Sequence, residues 1–201
     1  GYEHRHGGFN SWVSGYYGII KDYILTTYQH SMSDMGHGLT SNIKNVDAQI
    51  LGAEFGLGYQ FTDALQADVS ASYARGKNTT DHQPLPQIAP FEARINLRYV
   101  QDQYSLGAYW RIVDQQHRIA RHQGNVVGYD MKQSDSFSTL SLNASYELLN
   151  NVSMAIGIDN VFDKTYTEHL NKAGNAGFGF ATDEQFNNMG RNYWARMNIK
   201  F

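Results

Sequence analysis

The sequence has no cysteine and only three prolines among its 201 residues. Without thiols, neither a disulfide framework nor a thiolate-bound metal site can form within this stretch. No run of about 18 apolar residues occurs, so the sequence contains no candidate membrane-spanning helix. The formal net charge of -3 gives no reason to expect a nucleic-acid partner. No signal peptide precedes Gly1, and the chain starts in what looks like mid-strand, which predicts a longer parent protein.

Aromatic residues are abundant, at 13% of the chain, and many lie in stretches where apolar and polar residues alternate. The last twelve residues show this most clearly. One set is apolar and the other is polar apart from one tryptophan: Tyr193, Ala195, Met197, Ile199 and Phe201 against Asn192, Trp194, Arg196, Asn198 and Lys200. Strict alternation predicts a strand with one apolar and one polar face. An alternating strand that ends on a terminal phenylalanine is typical of bacterial outer-membrane barrels.

The same alternation predicts about eight strands, separated by connections that are alternately short and long. The predicted strands cover residues 9–27, 47–61, 65–73, 91–99, 104–112, 140–146, 152–158 and 190–201, after the end of a strand at 2–5. The long connections are predicted at 30–45, 76–90, 117–136 and 163–189. Outer-membrane barrels have short periplasmic turns and long extracellular loops. The sequence therefore predicts an all-β fold, an antiparallel transmembrane β-barrel wall. The alternative is a lipocalin-like barrel with an apolar interior.

Most of the charges on the predicted strands belong to the polar set. Because a charge that faces lipid is costly near the bilayer midplane, these residues are predicted to point into the barrel: Glu54, Asp68, Glu92, Arg94, Arg98, Glu147, Arg196 and Lys200. Aromatic residues near the short turns are predicted to form a periplasmic girdle: Tyr59, Phe61, Tyr99, Tyr104, Tyr146 and Phe201. No pattern places a nucleophile beside a base, so the sequence predicts no enzyme and no catalytic residue.

Several stretches resemble the closing half of a TonB-dependent outer-membrane receptor. They are Asn45-Val46-Asp47 with Gly52-Ala53-Glu54, Pro84-Leu85-Pro86-Gln87, and the segment from Gly157 to Tyr166. The part from Asn160 to Tyr166 resembles the signature of the family's penultimate strand, and Gly190-Arg191 fits the opening of its last strand. Three further stretches resemble the copper-receptor branch: residues 110–113, 122–128, and 168–171 continuing through 173–180. The resemblance covers nearly the whole chain.

This resemblance implies a whole receptor that is a barrel of about 22 strands with a plugged lumen, of which residues 1–201 form the C-terminal part. The plug domain, the TonB box and the first strands are then expected upstream of Gly1. The expected partners are the lipid bilayer, the receptor's own N-terminal plug domain, the TonB energy-transducing complex and the outer-membrane assembly machinery. Gly52, Gly56 and Gly58 lie on the polar face of one predicted strand, where we expect them to leave room for that plug.

The resemblance also implies a function, which is TonB-dependent transport of copper ions across the bacterial outer membrane without covalent chemistry. Copper is then the transported substrate, and no cofactor is expected. The alternatives are a receptor of the same family for another ligand, such as an iron-siderophore, and a passive porin or structural barrel. The family's main copper ligands lie on the plug and on an earlier barrel loop, so none of them is assigned to a residue of this chain.

One polar stretch holds soft metal ligands at close spacing. Residues 28–39 contain His30, Met32, Met35 and His37 within eight positions. Thioethers and imidazoles suit copper, especially Cu(I), far better than they suit magnesium or calcium. The sequence therefore predicts a weak external capture site for copper in this stretch, which is separate from the principal site.

Overall fold

The computed structural model describes residues 1–33, 36–125, 127–172 and 184–200. The described chain forms one antiparallel sheet of β1 (Tyr2–His6), β2 (Phe9–Ser33), β3 (Gly36–Gln60), β4 (Leu65–Asn78), β5 (Gln83–Pro84), β6 (Glu92–Val100), β7 (Tyr104–Val113), β8 (Gln123–Gly124), β9 (Phe137–Leu149), β10 (Val152–Asp159) and β11 (Asn192–Ile199). The strand order is β1-β2-β3-β4-β6-β7-β9-β10-β11, while β5 pairs with β4 and β8 pairs with β2. The predicted antiparallel all-β wall is confirmed. Among the described residues, no helix is long and apolar enough to cross a bilayer.

Short turns join the strands at one end of the sheet, and long connections join them at the other, which we call the loop end. Residues 7–8, 61–64, 101–103 and 150–151 make the short turns, and residues 79–91, 114–136 and 160–191 make the long connections. The alternation of short and long connections was predicted, but the predicted long loop at 30–45 is wrong. β2 and β3 continue through it as a paired hairpin, with Thr27 opposite Asn42. Residues 40–45 are exposed, and with solvent on both faces the polarity no longer alternates although the backbones still pair.

A bulge in β2 changes which of its residues face each side of the sheet. The pairing with β3 is regular from Phe9 to Ile20 and then shifts before Tyr23, and Asp22 within the shift has a φ of 55°. An extra residue in one strand reverses the facing of every residue beyond it. The phase change adds to the mixing of apolar and polar residues along β2, where Trp12 and Tyr16 already share a set with Asn10 before the bulge.

The two faces of the sheet differ in chemistry. The apolar face presents exposed aliphatic and aromatic side chains across the strands, including Val13, Leu51, Phe55, Leu97, Leu106, Trp110, Leu142, Ile156, Tyr193 and Met197. The register puts the predicted inward charges on the other face, where Arg94 is opposite Ser70 on β4 and Arg111 on β7. At the short turns, the rings of Tyr59 and Phe61 are 4.9 Å apart. At the next two turns, the rings of Tyr99 and Tyr104 are 6.1 Å apart and the Tyr146 hydroxyl donates to the Gln103 side chain. Phe201, the sixth member of the predicted girdle, lies outside the described residues. Such an extended apolar surface is typical of contact with a membrane or another protein.

The glycines of β3 do not leave open space on the polar face, so that expectation is wrong. The ring of Tyr16 lies over Gly52 and the ring of Trp12 lies over Gly56, and a Cβ at either glycine would overlap the ring. On β10, Gly157 is covered in the same way by Trp194, which is the single tryptophan in the polar set of β11. Glycine on one strand therefore accommodates an aromatic side chain from the next.

The buried apolar side chains are concentrated at the loop end. Leu25, Val46, Ala48, Val113 and Phe137 lie where strands approach the long connections, and Leu85 and Ala120 lie within those connections. The core of the described chain therefore lies between the loop-end parts of the strands and the connections folded against them. This packing gives the loop end a fixed shape.

The first prediction tests the glycine and aromatic pairs. We expect Gly56→Val to lower the fraction of folded, heat-modifiable barrel on electrophoresis, because the new side chain overlaps Trp12 and overpacking costs about 1–3 kcal/mol. Adding Trp12→Ala should restore the folded fraction. Gly15→Val is the matched control, since its nearest neighbour beyond the adjacent residues is a carbonyl oxygen 3.7 Å away. Folding of Gly56→Val at the wild-type level would contradict this account.

Candidate ligand-binding site at the loop end

Asp130 joins two of the long connections. One of its carboxylate oxygens accepts hydrogen bonds from the backbone N–H and the side-chain amide of Gln87, at 2.8 and 3.1 Å. The other accepts the backbone N–H of Ala120 at 2.9 Å. The Asp130 side chain is only 1% exposed, so these bonds replace the water that the carboxylate loses on burial. The connection at 79–91 is thereby fixed to the connection at 114–136.

The third connection, residues 160–191, meets the same carboxylate through His169. Its Nε2 lies 3.3 Å from Asp130 Oδ1, and both side chains are buried. The distance is that of an ion pair, although the direction of the ring nitrogen does not make a hydrogen bond. Burial raises the pKa of Asp130, but His169 and the N–H groups of Gln87 and Ala120 outweigh this effect and hold the pKa below its ordinary value. The ionised carboxylate is thus the form that the site favours.

Glu168, the residue before His169, fixes the same connection to the strands. Arg111 donates to both carboxylate oxygens of Glu168, at 2.7 and 3.1 Å. Arg111 also donates to both oxygens of Glu92 at 2.9 and 2.8 Å, and its guanidinium lies 5.3 Å from the centre of the Phe137 ring. Bidentate guanidinium–carboxylate pairs fix geometry as well as charge. The Glu168-His169 dipeptide therefore anchors residues 160–191 at two neighbouring points.

The connection at 114–136 also reaches β2, which lies four strands away from β7 in the sheet. The short strand β8 pairs with Thr26 and Thr27. Beside it, the hydroxyl of Tyr28 donates to the Asn125 carbonyl at 2.6 Å, and the rings of Tyr28 and Tyr129 lie 4.7 Å apart. This connection therefore passes over the ends of the intervening strands and is held on both sides.

A polar cavity of about 480 Å³ lies between the connection at 160–191 and the polar face of β9, β10 and β11. The strand side is formed by Thr139, Ser141, Asp159, Asn160 and Asn192, and the loop side by Tyr166, Asn171, Lys172 and residues 186–190. We call this space the asparagine cavity. Its volume lies within the range of about 300–1,000 Å³ that is usual for small-molecule sites.

Hydrogen bonds within the connection hold the loop side of the asparagine cavity in place. The Asn160 side chain donates to the Lys164 carbonyl and accepts the Lys164 N–H, each at 2.9 Å. The Asn188 N–H donates to the Tyr166 carbonyl at 2.9 Å, and Thr167 donates to the Asn187 side chain at 2.6 Å. These hydrogen bonds fix the positions of the described loop-side residues relative to one another.

Three of the predicted copper-capture residues, His30, Met32 and His37, lie on the hairpin of β2 and β3, and none of the three lines the asparagine cavity. In the register, Met32 is opposite His37 and His30 is opposite Leu39. Met35 lies outside the described residues. In the described ranges, no three histidine, aspartate or glutamate side chains gather as metal ligands. The capture site in this hairpin stays a prediction.

The anchoring residues Asp130, Glu168, His169 and Arg111 were not identified as site residues from the sequence. Glu168 and His169 belong to a stretch that carries the family resemblance, and this was the available signal. Their contacts join residues that lie between 10 and 57 positions apart in the sequence. Ala120 and Asp130 are separated by 10 positions, and Arg111 and Glu168 by 57. Local spacing contains no information on such partners.

The second prediction tests Asp130. We expect Asp130→Ala to make residues 79–91, 114–136 and 160–191 more sensitive to protease while the barrel stays heat-modifiable. Breaking a buried charged network costs about 3–5 kcal/mol, and three N–H groups, two of Gln87 and one of Ala120, lose their acceptor together. Asp135→Ala, at an exposed position of the same connection, is the control and should leave proteolysis unchanged. Equal digestion of the two variants would remove Asp130 from this role.

The lowered pKa of Asp130 also predicts a direction with pH. A carboxyl whose pKa is lower in the folded state contributes stability above its unfolded pKa, about 3.9, and loses it as the pH falls through the folded value. The protease resistance of the connections should therefore be constant from neutral pH down to about pH 4 and fall below it. Hydrogen exchange of these connections measured between pH 3 and 7 checks this. An onset of opening near pH 6 would contradict it.

Comparison with known proteins identifies the family to which this fold belongs. Residues 1–161 match the family model described as TonB dependent receptor-like, beta-barrel. The solved structure of the copper transporter OprC is 45% identical with a TM-score of 0.92, over 99% of this chain and 30% of that one. The siderophore receptor PirA from Acinetobacter baumannii is 19% identical with a TM-score of 0.70, over 99% of this chain and 30% of that one. This likeness shows the fold alone.

A curated relative gives a weaker sequence match. The vitamin B12 transporter BtuB of Photobacterium profundum is 25% identical over 193 residues, which are 94% of this chain and 27% of that protein. The chain thus spans less than a third of the length of these relatives. The family model covers most of the chain, the fold agrees with it, and short turns alternate with long connections as in such barrels. The chain therefore belongs to the TonB-dependent receptor-like β-barrel family.

Proposed function

We propose that the protein containing this chain imports copper across the bacterial outer membrane as a TonB-dependent transporter. The observation that carries the proposal is the 45% identity to the copper transporter OprC over 99% of the chain. The siderophore receptor PirA shares the fold over the same extent with 19% identity. An overall identity of 45% to OprC, against 19% to PirA over the same share of the chain, favours a ligand shared with OprC.

The proposed location in the outer membrane is supported by the chemistry of the sheet. Its exposed apolar face suits lipid, while charged pairs such as Arg94 with Glu92 lie on the polar face. In this arrangement the loop end is extracellular and the short turns are periplasmic. The proposed partners are the bilayer, a plug domain within the lumen, the TonB complex and the assembly machinery.

The proposed mechanism is transport without covalent change. Extracellular connections capture the metal, the plug holds it within the barrel, and energy delivered through TonB moves the plug. The described residues contribute a rigid mouth, because Asp130, Arg111 and Glu168 tie the long connections to each other and to the strands. Because these connections are already held in place, capture of the metal requires less ordering of loops and loses less conformational entropy.

We propose that His30, Met32, Met35 and His37 provide a weak first contact for copper on the hairpin of β2 and β3. The backbone register supports this in one respect, since directly opposed residues such as Met32 and His37 are close neighbours across an antiparallel pair. Imidazole and thioether ligands prefer copper to the hard cations that are abundant outside the cell. Two to four ligands on an extended hairpin favour weak and reversible capture over storage.

The third prediction tests copper uptake and this capture site together. Cells that lack the protein should accumulate less copper than wild-type cells when copper is limiting, and the same amount when it is plentiful. Met32→Leu with Met35→Leu should reproduce part of the loss at limiting copper, because both thioethers are removed at nearly constant volume. The matched control is Met154→Leu with Met197→Leu, a pair on opposed positions of β10 and β11, which should leave accumulation unchanged.

Two other outcomes are informative. If the double hairpin variant accumulates copper normally while present at the wild-type level, the hairpin is not on the uptake pathway. If loss of the protein leaves copper accumulation unchanged and abolishes uptake of an iron-siderophore, the ligand is the siderophore and the copper proposal is wrong.

A further inference from the structure

The asparagine cavity contains two charged groups of opposite sign that are not used to hold the loop. Asp159 comes from the end of β10, and Lys172 comes from the loop side. In the described part of the chain neither side chain makes an ion pair, and Asp159 accepts one long hydrogen bond, from the amide of Asn192 at 3.5 Å. An acceptor and a cationic donor are therefore available on different walls of the same cavity.

Neutral hydrogen-bonding groups surround these two charges. Thr139 and Ser141 line the strand side, and Tyr166 lines the loop side. Apolar surface is present as well, since Phe186 is 46% exposed and Met189 is 77% exposed. A small number of polar groups beside apolar surface, in a cavity of about 480 Å³, is the usual composition of a small-molecule site.

The lining does not suit a bare metal ion. It offers one carboxylate, from Asp159, and one thioether, from Met189, and its described residues include no histidine. Protein sites for transition metals generally supply three or four such ligands. The positive charge of Lys172 further disfavours a free cation. With one charge of each sign, the cavity also gives no net attraction to a strongly charged anion.

We infer that the asparagine cavity binds a neutral amino-acid chelate of the metal, an inference that rests on the proposed function of metal uptake. In such a chelate the carboxylate oxygens face outward as acceptors and the metal-bound amines present N–H donors. Lys172 donates to the former and Asp159 accepts from the latter, while the hydroxyls of Thr139 and Ser141 complete the hydrogen bonds. The amino acids satisfy the metal, so the protein needs no metal ligand here. The metal thus enters this part of the mouth already coordinated.

The first arm of the test uses the wild-type receptor purified in detergent. The probe is tris(glycinato)cobalt(III), which is uncharged and exchanges its ligands too slowly to release metal during the measurement. Calorimetric titration should show saturable binding of this complex. Hexaamminecobalt(III), an equally inert but cationic complex, and free glycine should bind at least tenfold more weakly. Absence of binding by the neutral complex, or equal binding of the cationic one, would overturn the inference.

The second arm uses variants. Because each substitution removes a hydrogen bond to a charged group, Lys172→Gln and Asp159→Asn should each weaken binding of the neutral complex by about tenfold or more. Lys132→Gln and Asp135→Asn, at exposed positions outside the cavity, should bind as wild type does. Equal affinities in all four variants would place the binding elsewhere and refute the assignment. The wild-type arm decides the matter if a cavity variant fails to fold.

The two proposals fail in different ways. If loss of the protein lowers copper accumulation but the neutral complex does not bind, copper uptake stands and the chelate site is wrong. If loss of the protein leaves copper accumulation unchanged while the neutral complex binds at Lys172 and Asp159, the cavity stands as a chelate site and the transported metal is another one.

Discussion

The loop end depends on one buried carboxylate. Asp130 accepts three hydrogen bonds from two connections and faces His169 from a third. Without it, the connections at 79–91 and 114–136 would keep two hydrogen bonds, from Gln116 to the Ile88 carbonyl and from Asp114 to the Phe91 carbonyl. The connection at 160–191 would keep its attachment to Arg111. Since the buried apolar residues lie at this end, the carboxylate and the small core stabilise each other: the core excludes water, and the absence of water makes each hydrogen bond to the carboxylate harder to replace.

The strands of the wall were predictable because each has one apolar and one polar face. β4, β6, β7 and β10 follow the alternation closely, and their short turns fall where polar residues interrupt it. The pairing of β2 and β3 through the predicted loop at 30–45 was not predictable, because residues 40–45 are exposed and an exposed strand needs no apolar face. The bulge at Lys21 and Asp22 was not predicted either. A strand is recognised by a constant alternation of apolar and polar residues, and the bulge shifts that alternation by one residue.

The site was less predictable than the wall. Asp159 and Asn192 are polar-face residues at the ends of their strands, which the alternation does place. Their cavity is completed by Tyr166, Asn171, Lys172 and residues 186–190, which belong to the connection that Arg111 holds through Glu168. Such contacts depend on the packing of three connections, and a single sequence contains no periodic signal for them. The same holds for the glycines, whose covering aromatic residues come from neighbouring strands.

The positions of the three tryptophans have a spectroscopic consequence. Trp12 and Trp194 lie over glycines on the polar face, and Trp110 projects from the apolar face. Intrinsic fluorescence of the folded chain therefore combines emission from both sides of one wall. In the proposed membrane arrangement, quenchers attached to lipid chains reach Trp110 and do not reach Trp12 and Trp194. The protein thus contains its own optical labels for the inside and the outside of the barrel.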